Sequence, residues 1–400
     1  KKTGSQRAFL GFFRNPLQKI AQKYIELHGI KNLETHYIYG SRKAWRIPSL
    51  IDAVDDEFFG EFGSAAGAST LDKLLSGFEL NYEKFQEMFP EMDLDRGAKL
   101  SKKDIVDLRE FFKNSSTYRE FLLDVSKKQR NVVNEYLNQE IDFKEKFAFV
   151  EFWGRGYTQT CMTRLLNSAS GLNQPSMVYY FRSILPSDVD NIRCNFTTDT
   201  ESLIFIEAIF ANHPMSTVKG YQYQEGRIVP IQDSVDYDKE LFEFISQSID
   251  PYMEMFYKLD FSQDVSTVEK TLCSATLRWC YLNTDHPFMV KSIAHLKDSV
   301  SLQGQVREYA PPFSSKLLTR IRRGKPATRF TRSIKMSIAR SSPEVRVGFE
   351  CINNLKQLKL SYSKGTTGCG KGSLFRYNLE KIKIRGLFWL CYITAKIRKH

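Results

Sequence analysis

Two periods of apolar and polar positions alternate along this chain, and each change of period marks a turn. Residues 7–13 (Arg-Ala-Phe-Leu-Gly-Phe-Phe) read as a short buried strand, and Arg14-Asn15-Pro16 turns the chain, with Pro16 near the first position of a helix. Leu17, Ile20, Ala21, Tyr24, Ile25 and Leu27 then repeat at helical spacing until Gly29. Residues 35–39 read as a second strand, followed by Gly40-Ser41-Arg42. From 50 to 143 the pattern is mostly helical, over 69–75, 82–89, 102–112 and 117–137, with the Gly/Ala/Ser-rich stretch 60–69 as a loop.

The most informative stretch is 146–161. Lys-Phe-Ala-Phe-Val-Glu-Phe-Trp is a buried strand, Gly154-Arg155-Gly156 a tight turn, and Thr158 a cap for a helix through Met162, Leu165 and Leu166 that Gly171 stops. A strand, a glycine turn and a helix start form an arrangement that holds phosphate or carboxylate. The glycines admit close approach, the first N–H groups point outward, and the helix dipole favours negative charge. Arg155 adds a bidentate donor, the alternative being an ordinary turn whose arginine faces water. Strands follow at 176–181 and 193–196. An apolar run over 202–210 begins a helix that Asn212-His213-Pro214 breaks. Residues 221–230 read as a hairpin with Glu225-Gly226 at its turn, and helices return at 238–259, 266–281 and 287–296.

The expected class is therefore α/β. It has Rossmann-like layers on a mostly parallel sheet, with a two-domain glycosyltransferase-B-like pairing as its fuller form, a helical insertion and a basic C-terminal appendage. Residues 1–145 would be an N-terminal α/β unit with the insertion, 146–310 a second α/β unit with the glycine turn, and 311–400 a basic, amphipathic membrane-surface tail entered through Pro311-Pro312.

Charge sharpens that last point. The chain carries a net +12, but residues 315–400 alone hold 21 Lys and Arg against 3 acidic residues, leaving the remainder near −6. Within 375–399 the basic residues are mixed with Leu387, Phe388, Trp389, Leu390 and Ile393, an apolar cluster too short to span a bilayer and suited to its surface. The seven cysteines are scattered without a Cys-x-x-Cys pair or histidines at zinc spacing, so reduced, mostly buried thiols in a cytoplasmic protein are expected, with no metal and no cofactor. The first residue is Lys1, which suggests a fragment or a processed form, and no signal peptide is recognisable.

Other motifs carry less. Gly365-Thr366-Thr367-Gly368-Cys369-Gly370-Lys371 resembles the start of a P-loop, but Gly372 stands where a Ser or Thr should hold magnesium, and a flexible linker is the better reading. His213, at a helix break, is a candidate general base or diphosphate ligand; its plainer role is to stabilise a helix end.

Three blocks together carry a resemblance: Phe9-Leu10-Gly11-Phe12-Phe13-Arg14-Asn15-Pro16, Tyr39-Gly40-Ser41-Arg42-Lys43-Ala44-Trp45, and residues 149–159, Phe-Val-Glu-Phe-Trp-Gly-Arg-Gly-Tyr-Thr-Gln. The chain resembles, over 1 to about 260, the region downstream of the phosphatase-like domain in large bacterial proteins of the haloacid-dehalogenase superfamily found among capsule and O-antigen genes. Asn15 stands where that family has Asp, Pro16 where it has Gly, and Glu151 where it has Asp. Asp93-Leu94-Asp95, Asp188-Val189-Asp190 and Asp236-Tyr237-Asp238 have the phosphatase spacing but follow no apolar strand, so no phosphatase activity is carried over. The resemblance implies surface-polysaccharide assembly.

The expectation is a cytoplasmic transferase, peripheral to the inner face of the cell membrane. Its donor would be a nucleotide-activated sugar or polyol phosphate and its acceptor a glycan or a lipid-linked group. Arg14, Asn15, Ser41, Arg42, Gly154, Arg155, Gly156, Thr158 and Gln159 would hold the donor's diphosphate, with Glu151 or His213 as acid/base. An anionic membrane surface is the other expected partner, and no specific nucleic acid. The alternative is a non-catalytic scaffold or nucleic-acid-binding protein that grips phosphates through the basic tail.

Overall fold

Five parallel strands form the centre of the computed structural model, which describes residues 8–12, 15–60, 63–64, 68–197, 218–232, 239–258, 265–296, 308–363 and 371–397. They are β1 (Ala8–Phe12), β2 (Leu33–Tyr37), β3 (Lys146–Gly154), β4 (Ser176–Ser183) and β5 (Asn191–Asn195), in the spatial order β2-β1-β3-β4-β5. The chain steps one way from β1 to β2 and the other way from β3 to β5, so the order reverses between β1 and β3. Helix α1 (Asn15–Leu27) joins β1 to β2, and α8 (Tyr157–Ser170) joins β3 to β4. Gly11 pairs with Phe149 across β1 and β3, and a Cβ there would stand 2.6 Å from the Phe149 ring. Glycine at this position leaves room for a wholly buried phenylalanine, which packs with Ile38, Val178, Tyr180 and the α8 residues Cys161, Met162, Leu165 and Leu166.

Among the described residues six helices are inserted between β2 and β3: α2 (Arg42–Trp45), α3 (Asp56–Phe59), α4 (Leu71–Gly77), α5 (Tyr82–Met88), α6 (Lys102–Asn114) and α7 (Ser116–Glu140). Their starts are written in the sequence: Asp55, Thr70, Asn81, Ser101 and Ser115 each accept an N–H of the first turn, and Ser101 and Asp104 form a capping box. The insertion has an aromatic core of Phe58, Phe78, Phe85, Phe112 and Tyr118. Helix α7 serves two cores: Tyr118 and Leu122 belong to the insertion, Val133, Tyr136 and Leu137 to the sheet.

A hairpin, β6 (Val218–Gln224) and β7 (Arg227–Gln232), turns at Glu225-Gly226, both with positive φ. Its Tyr221 is a node. The hydroxyl accepts from Trp45 Nε1 at 2.7 Å and donates to the Tyr39 carbonyl at 2.6 Å, and the ring stacks on Tyr136 at 4.5 Å. Helices α9 (Lys239–Tyr257) and α10 (Val265–Leu282) follow.

The chain divides into two compact units, Lys1–Leu203 with His213–Thr271, and Ile204–Asn212 with Leu272–His400. This corrects the expected division. Residue 145 is no boundary, because β1 and β3 on either side of it are hydrogen-bonded neighbours in one sheet. The described residues contain one parallel sheet; the second sheet of a glycosyltransferase-B-like pairing is not among them.

The second unit holds α11 (Pro287–Ile293), α12 (Ser315–Arg322), α13 (Ile334–Arg340), α14 (Pro343–Ser363) and α15 (Lys371–Ile397). Residues 311–400 are therefore not a loose tail behind a linker. Phe313, Leu318, Ile321, Val345, Phe349, Ile352 and Phe388 build a core of their own, and Ala310 is fully buried. The apolar residues are isolated in sequence but fall three or four apart, so a helix can gather those of its core on one side while its lysines and arginines reach outward. The P-loop-like run 365–370 and the apolar run 202–210 lie outside the described residues.

Candidate functional site

Parallel pairing places the C-terminal ends of all five strands on one edge of the sheet, and ligands of open α/β sheets collect at that edge where the strand order reverses. The turns after β2 and β3 open there, and β1 ends there; the turn after β1, residues 13–14, lies outside the described residues. Arg14 and His213 lie outside the described residues; Asn15 is the first residue of α1, and its side chain also lies outside them.

The turn after β3 is the most constrained. Gly156 has φ of 98° and starts α8 with no side chain capping it. An added Cβ would stand 3.0 Å from Leu185 and 3.1 Å from Arg193 Nε, so both conformation and space require glycine. Thr158 is thus not the cap; it sits inside the first turn, because the left-handed glycine makes the corner one residue earlier. The first N–H groups of a helix have no partner within it, and Gly156 at the cap position has no side chain to supply one.

Around this helix start stand cationic and N–H groups that the sequence pattern did not single out. Arg193 on β5 is buried. Its Nη1 bonds the Asp188 carboxylate at 3.1 Å and the Pro186 carbonyl at 2.5 Å, and its Nη2 reaches the Gly156 carbonyl at 3.4 Å. Trp153 and Arg182 are neighbours in register on β3 and β4. Register and alternation put Trp153, Arg182 and Arg193 on the sheet face that carries Phe149 and Val178. Trp153 Nε1, Arg182 Nε and Arg193 Nε are buried N–H groups that find no acceptor among the described residues. Buried donors are almost always paired, so three near one glycine turn make a place where an anionic or carbonyl oxygen from outside the described residues would be bound. Asp188, which anchors Arg193, is desolvated by burial, but hydrogen bonds from Asn191 and Arg193 outweigh that and hold its carboxyl below the usual range.

Other expected ligands have structural work. The Ser41 hydroxyl accepts from Lys43 N and Ala44 N as the cap of α2 and donates to the Val218 carbonyl at 2.5 Å, which commits its one proton and both lone pairs. Gln159 is buried and points away from the edge. Its amide donates to Ser176 O, Ser176 Oγ and Ile192 O, and it joins Thr163 and Asn191 in a polar network between α8, β4 and β5. Replacing Gln159 by Met is expected to lower stability by about 2 kcal/mol in urea melts, the usual penalty for orphaning such groups. Arg42 is exposed at the start of α2, and Arg155 is half-exposed, with Nη2 3.6 Å from Glu57 of α3. Glu151 is half-buried on β3; its Oε1 accepts from Phe152 N at 2.8 Å, and its register partner on β4 is Tyr180.

A second cluster fastens the insertion to α8. Asp55 accepts from Tyr157 Oη at 2.8 Å and from Arg164 Nη1 at 2.7 Å while capping α3. Burial, with the Cys161 and Asp55 charges, pushes the Tyr157 phenol far up, and burial lifts the Cys161 thiol to about 11. Neither is a base or nucleophile near neutrality. A cavity of about 480 Å³ flanks α8 at Thr163, Arg164, Asn173 and Asn191, beside the starts of β4 and β5 and so away from the carboxyl edge. Compared with models of known protein families and with curated proteins, the chain matches none.

Proposed function

We propose that the first unit binds a phosphate-bearing donor, a nucleotide-activated sugar or polyol phosphate, at the carboxyl edge of its sheet, and that the protein is a transferase of surface-polysaccharide assembly. The observation that carries this is the set of buried donors Trp153 Nε1, Arg182 Nε and Arg193 Nε, without acceptors among the described residues, beside a glycine-started helix. The resemblance of the three sequence blocks to haloacid-dehalogenase-associated proteins of capsule and O-antigen genes supports the polysaccharide assignment. The parallel sheet and the reversal of its strand order support the donor. Crossovers between parallel strands are right-handed, and those from β1 and from β3 step in opposite directions, so α1 and α8 belong on opposite faces and leave a crevice between them.

In this reading the α8 N-terminus and Arg155 hold the diphosphate, and Arg193 reinforces the field from beneath Gly156. A leaving phosphate is then stabilised by fixed donors. Glu151 is the carboxylate three residues before the turn and takes the proton of the acceptor hydroxyl. Arg42 lies on the same edge and extends the cationic rim.

Isothermal titration against a panel of nucleoside-diphosphate sugars and cytidine-diphosphate polyols tests this. Arg155→Ala should weaken the best ligand by roughly tenfold to a hundredfold, the value of a charged hydrogen bond of about 1.5–3 kcal/mol. Glu57→Gln should tighten it, because it removes the carboxylate that competes for Arg155. Unchanged affinity in Arg155→Ala removes the turn from the site.

A further inference from the structure

Helix α15 is apolar on two opposite faces. Ile384, Phe388, Cys391 and Ala395 repeat at spacings of four, three and four, and among them Phe388 and Ala395 belong to the core of the second unit. A second series, Phe375, Leu379, Ile382, Trp389, Ile393 and Ile397, shares the other side of the helix, and Gly386 continues the spacing between Ile382 and Trp389. Every residue of this second series is exposed: 69, 41, 67, 44, 52 and 68 % in that order. Single exposed apolar residues are ordinary, but six in one stripe along a 27-residue helix are not.

The borders of the stripe are basic. At 100° per residue, Arg376 and Lys383 fall along one side and Arg385 and Lys396 along the other. The one acidic residue of α15, Glu380, is 2.9 Å from Lys383. At 1.5 Å per residue the helix runs for about 40 Å, and among the described residues no helix is long and apolar enough to cross a membrane.

We propose that this exposed face of α15 lies in the headgroup layer of an anionic lipid bilayer, parallel to the membrane plane. The apolar stripe enters the acyl boundary, and the flanking lysines and arginines extend sideways to lipid phosphates while their stems remain over apolar surface. Trp389 sits where interfacial tryptophans are stable, with an apolar ring and one polar N–H. Charge selects this occupant. Residues 315–400 carry a net +18, which repels a second copy of the same face and is complementary to an anionic leaflet. The inference is independent of the anion-binding edge of the first unit, and its test uses no sugar ligand.

The test is flotation of the full-length protein with vesicles of phosphatidylcholine alone and of phosphatidylcholine with phosphatidylglycerol, at low and high salt. Wild type should float with the anionic vesicles and at least roughly tenfold less with neutral ones or at high salt. Ile382→Glu with Ile393→Glu, both solvent-exposed positions, should lose at least roughly tenfold in binding without a change in melting temperature. Trp389 fluorescence should shift to the blue on vesicle addition, and Trp389→Tyr should lose that shift. Equal flotation of the double variant overturns the proposal, as does equal binding of wild type to neutral and anionic vesicles. Failure of wild type to float, with light scattering giving a dimer that the double variant converts to monomer, makes the stripe a self-association seam and overturns it too.

Discussion

Raising the pH from about 8 to about 11 is expected to unfold the first unit, because its buried phenols and one buried thiol must stay neutral to remain inside. Burial is the leading cause of a raised phenol in Tyr118, Tyr136, Tyr157, Tyr180 and Tyr221, and of the Cys161 thiol lifted to about 11. In the unfolded chain a tyrosine ionises near 10 and a cysteine near 8.5. The folded values are higher, so below those pH values the contribution to stability is fully present. As pH rises further the unfolded chain releases protons that the folded one retains, and stability falls. At pH 11 each phenol held neutral lowers stability by about 1.4 kcal/mol, and the thiol by about 3 kcal/mol. Six such groups approach 10 kcal/mol, on the order of the whole stability of a domain. Hydrogen bonds to the phenols, such as Trp45 Nε1 to Tyr221, moderate the shifts without reversing them. An alkaline titration followed by circular dichroism and by phenolate absorbance checks this. The buried phenols should ionise together with loss of helix signal, and Tyr180→Phe should move the midpoint to higher pH. The exposed tyrosines ionise gradually from about pH 9 in either case; phenolate absorbance that accounts for every tyrosine with intact helix signal would mean that the buried rings already reach water.

The strand, glycine turn and helix over 146–171 were legible because each element buries one face and the local pattern states which. So were the hairpin, whose Glu225-Gly226 turn demands positive φ, and most insertion helices, whose caps are local. What the sequence hid is what forms between distant segments. Gln159 reads as a ligand beside a glycine turn until β4 and β5 supply Ser176 and Ile192 as its partners. Asp55 meets Tyr157 and Arg164 across more than a hundred residues. Arg193 looks like one alternating residue of a short strand, and only the pairing of β5 beside β4 brings its guanidinium under Gly156. The second unit was masked by composition: charge dominates its sequence, and its apolar residues come singly. Helix α15 was masked differently, since apolar residues on two opposite faces cancel the one-sided periodicity by which a helix is recognised.

Gly40→Ala is expected to be among the most damaging single substitutions in the protein, although Gly40 has no unusual φ and is followed by the basic, polar-looking run Ser41-Arg42-Lys43. The reason is Trp45. Helix α2 is only four residues long, and it returns the Trp45 indole over Gly40 so closely that a Cβ would fall inside the ring, overlapping Cζ2 and Cη2 with Cε2 at 2.5 Å. The ring has little freedom to retreat. It is buried, its Nε1 donates to Tyr221, and Tyr221 in turn bonds the Tyr39 carbonyl and stacks on Tyr136. Moving the indole therefore breaks the node that fastens the hairpin to the sheet core, and orphans buried polar groups besides. Overpacking of this kind costs about 3 kcal/mol or more. For a unit of this size that lowers the melting temperature by roughly 6–12 °C. Gly171→Ala is the control: its φ is 67°, but no atom lies within 4 Å of the new Cβ, and its expected cost is about 1 kcal/mol. The double variant Gly40→Ala with Trp45→Leu separates clash from backbone strain. Removing the indole should relieve the methyl, so that the pair is no less stable than Trp45→Leu alone, a coupling that urea melts of the four proteins measure directly. Wild-type stability in Gly40→Ala would mean that the indole does not cover Gly40. Simple additivity in the cycle would mean that the damage comes from the backbone at Gly40 and not from the ring above it.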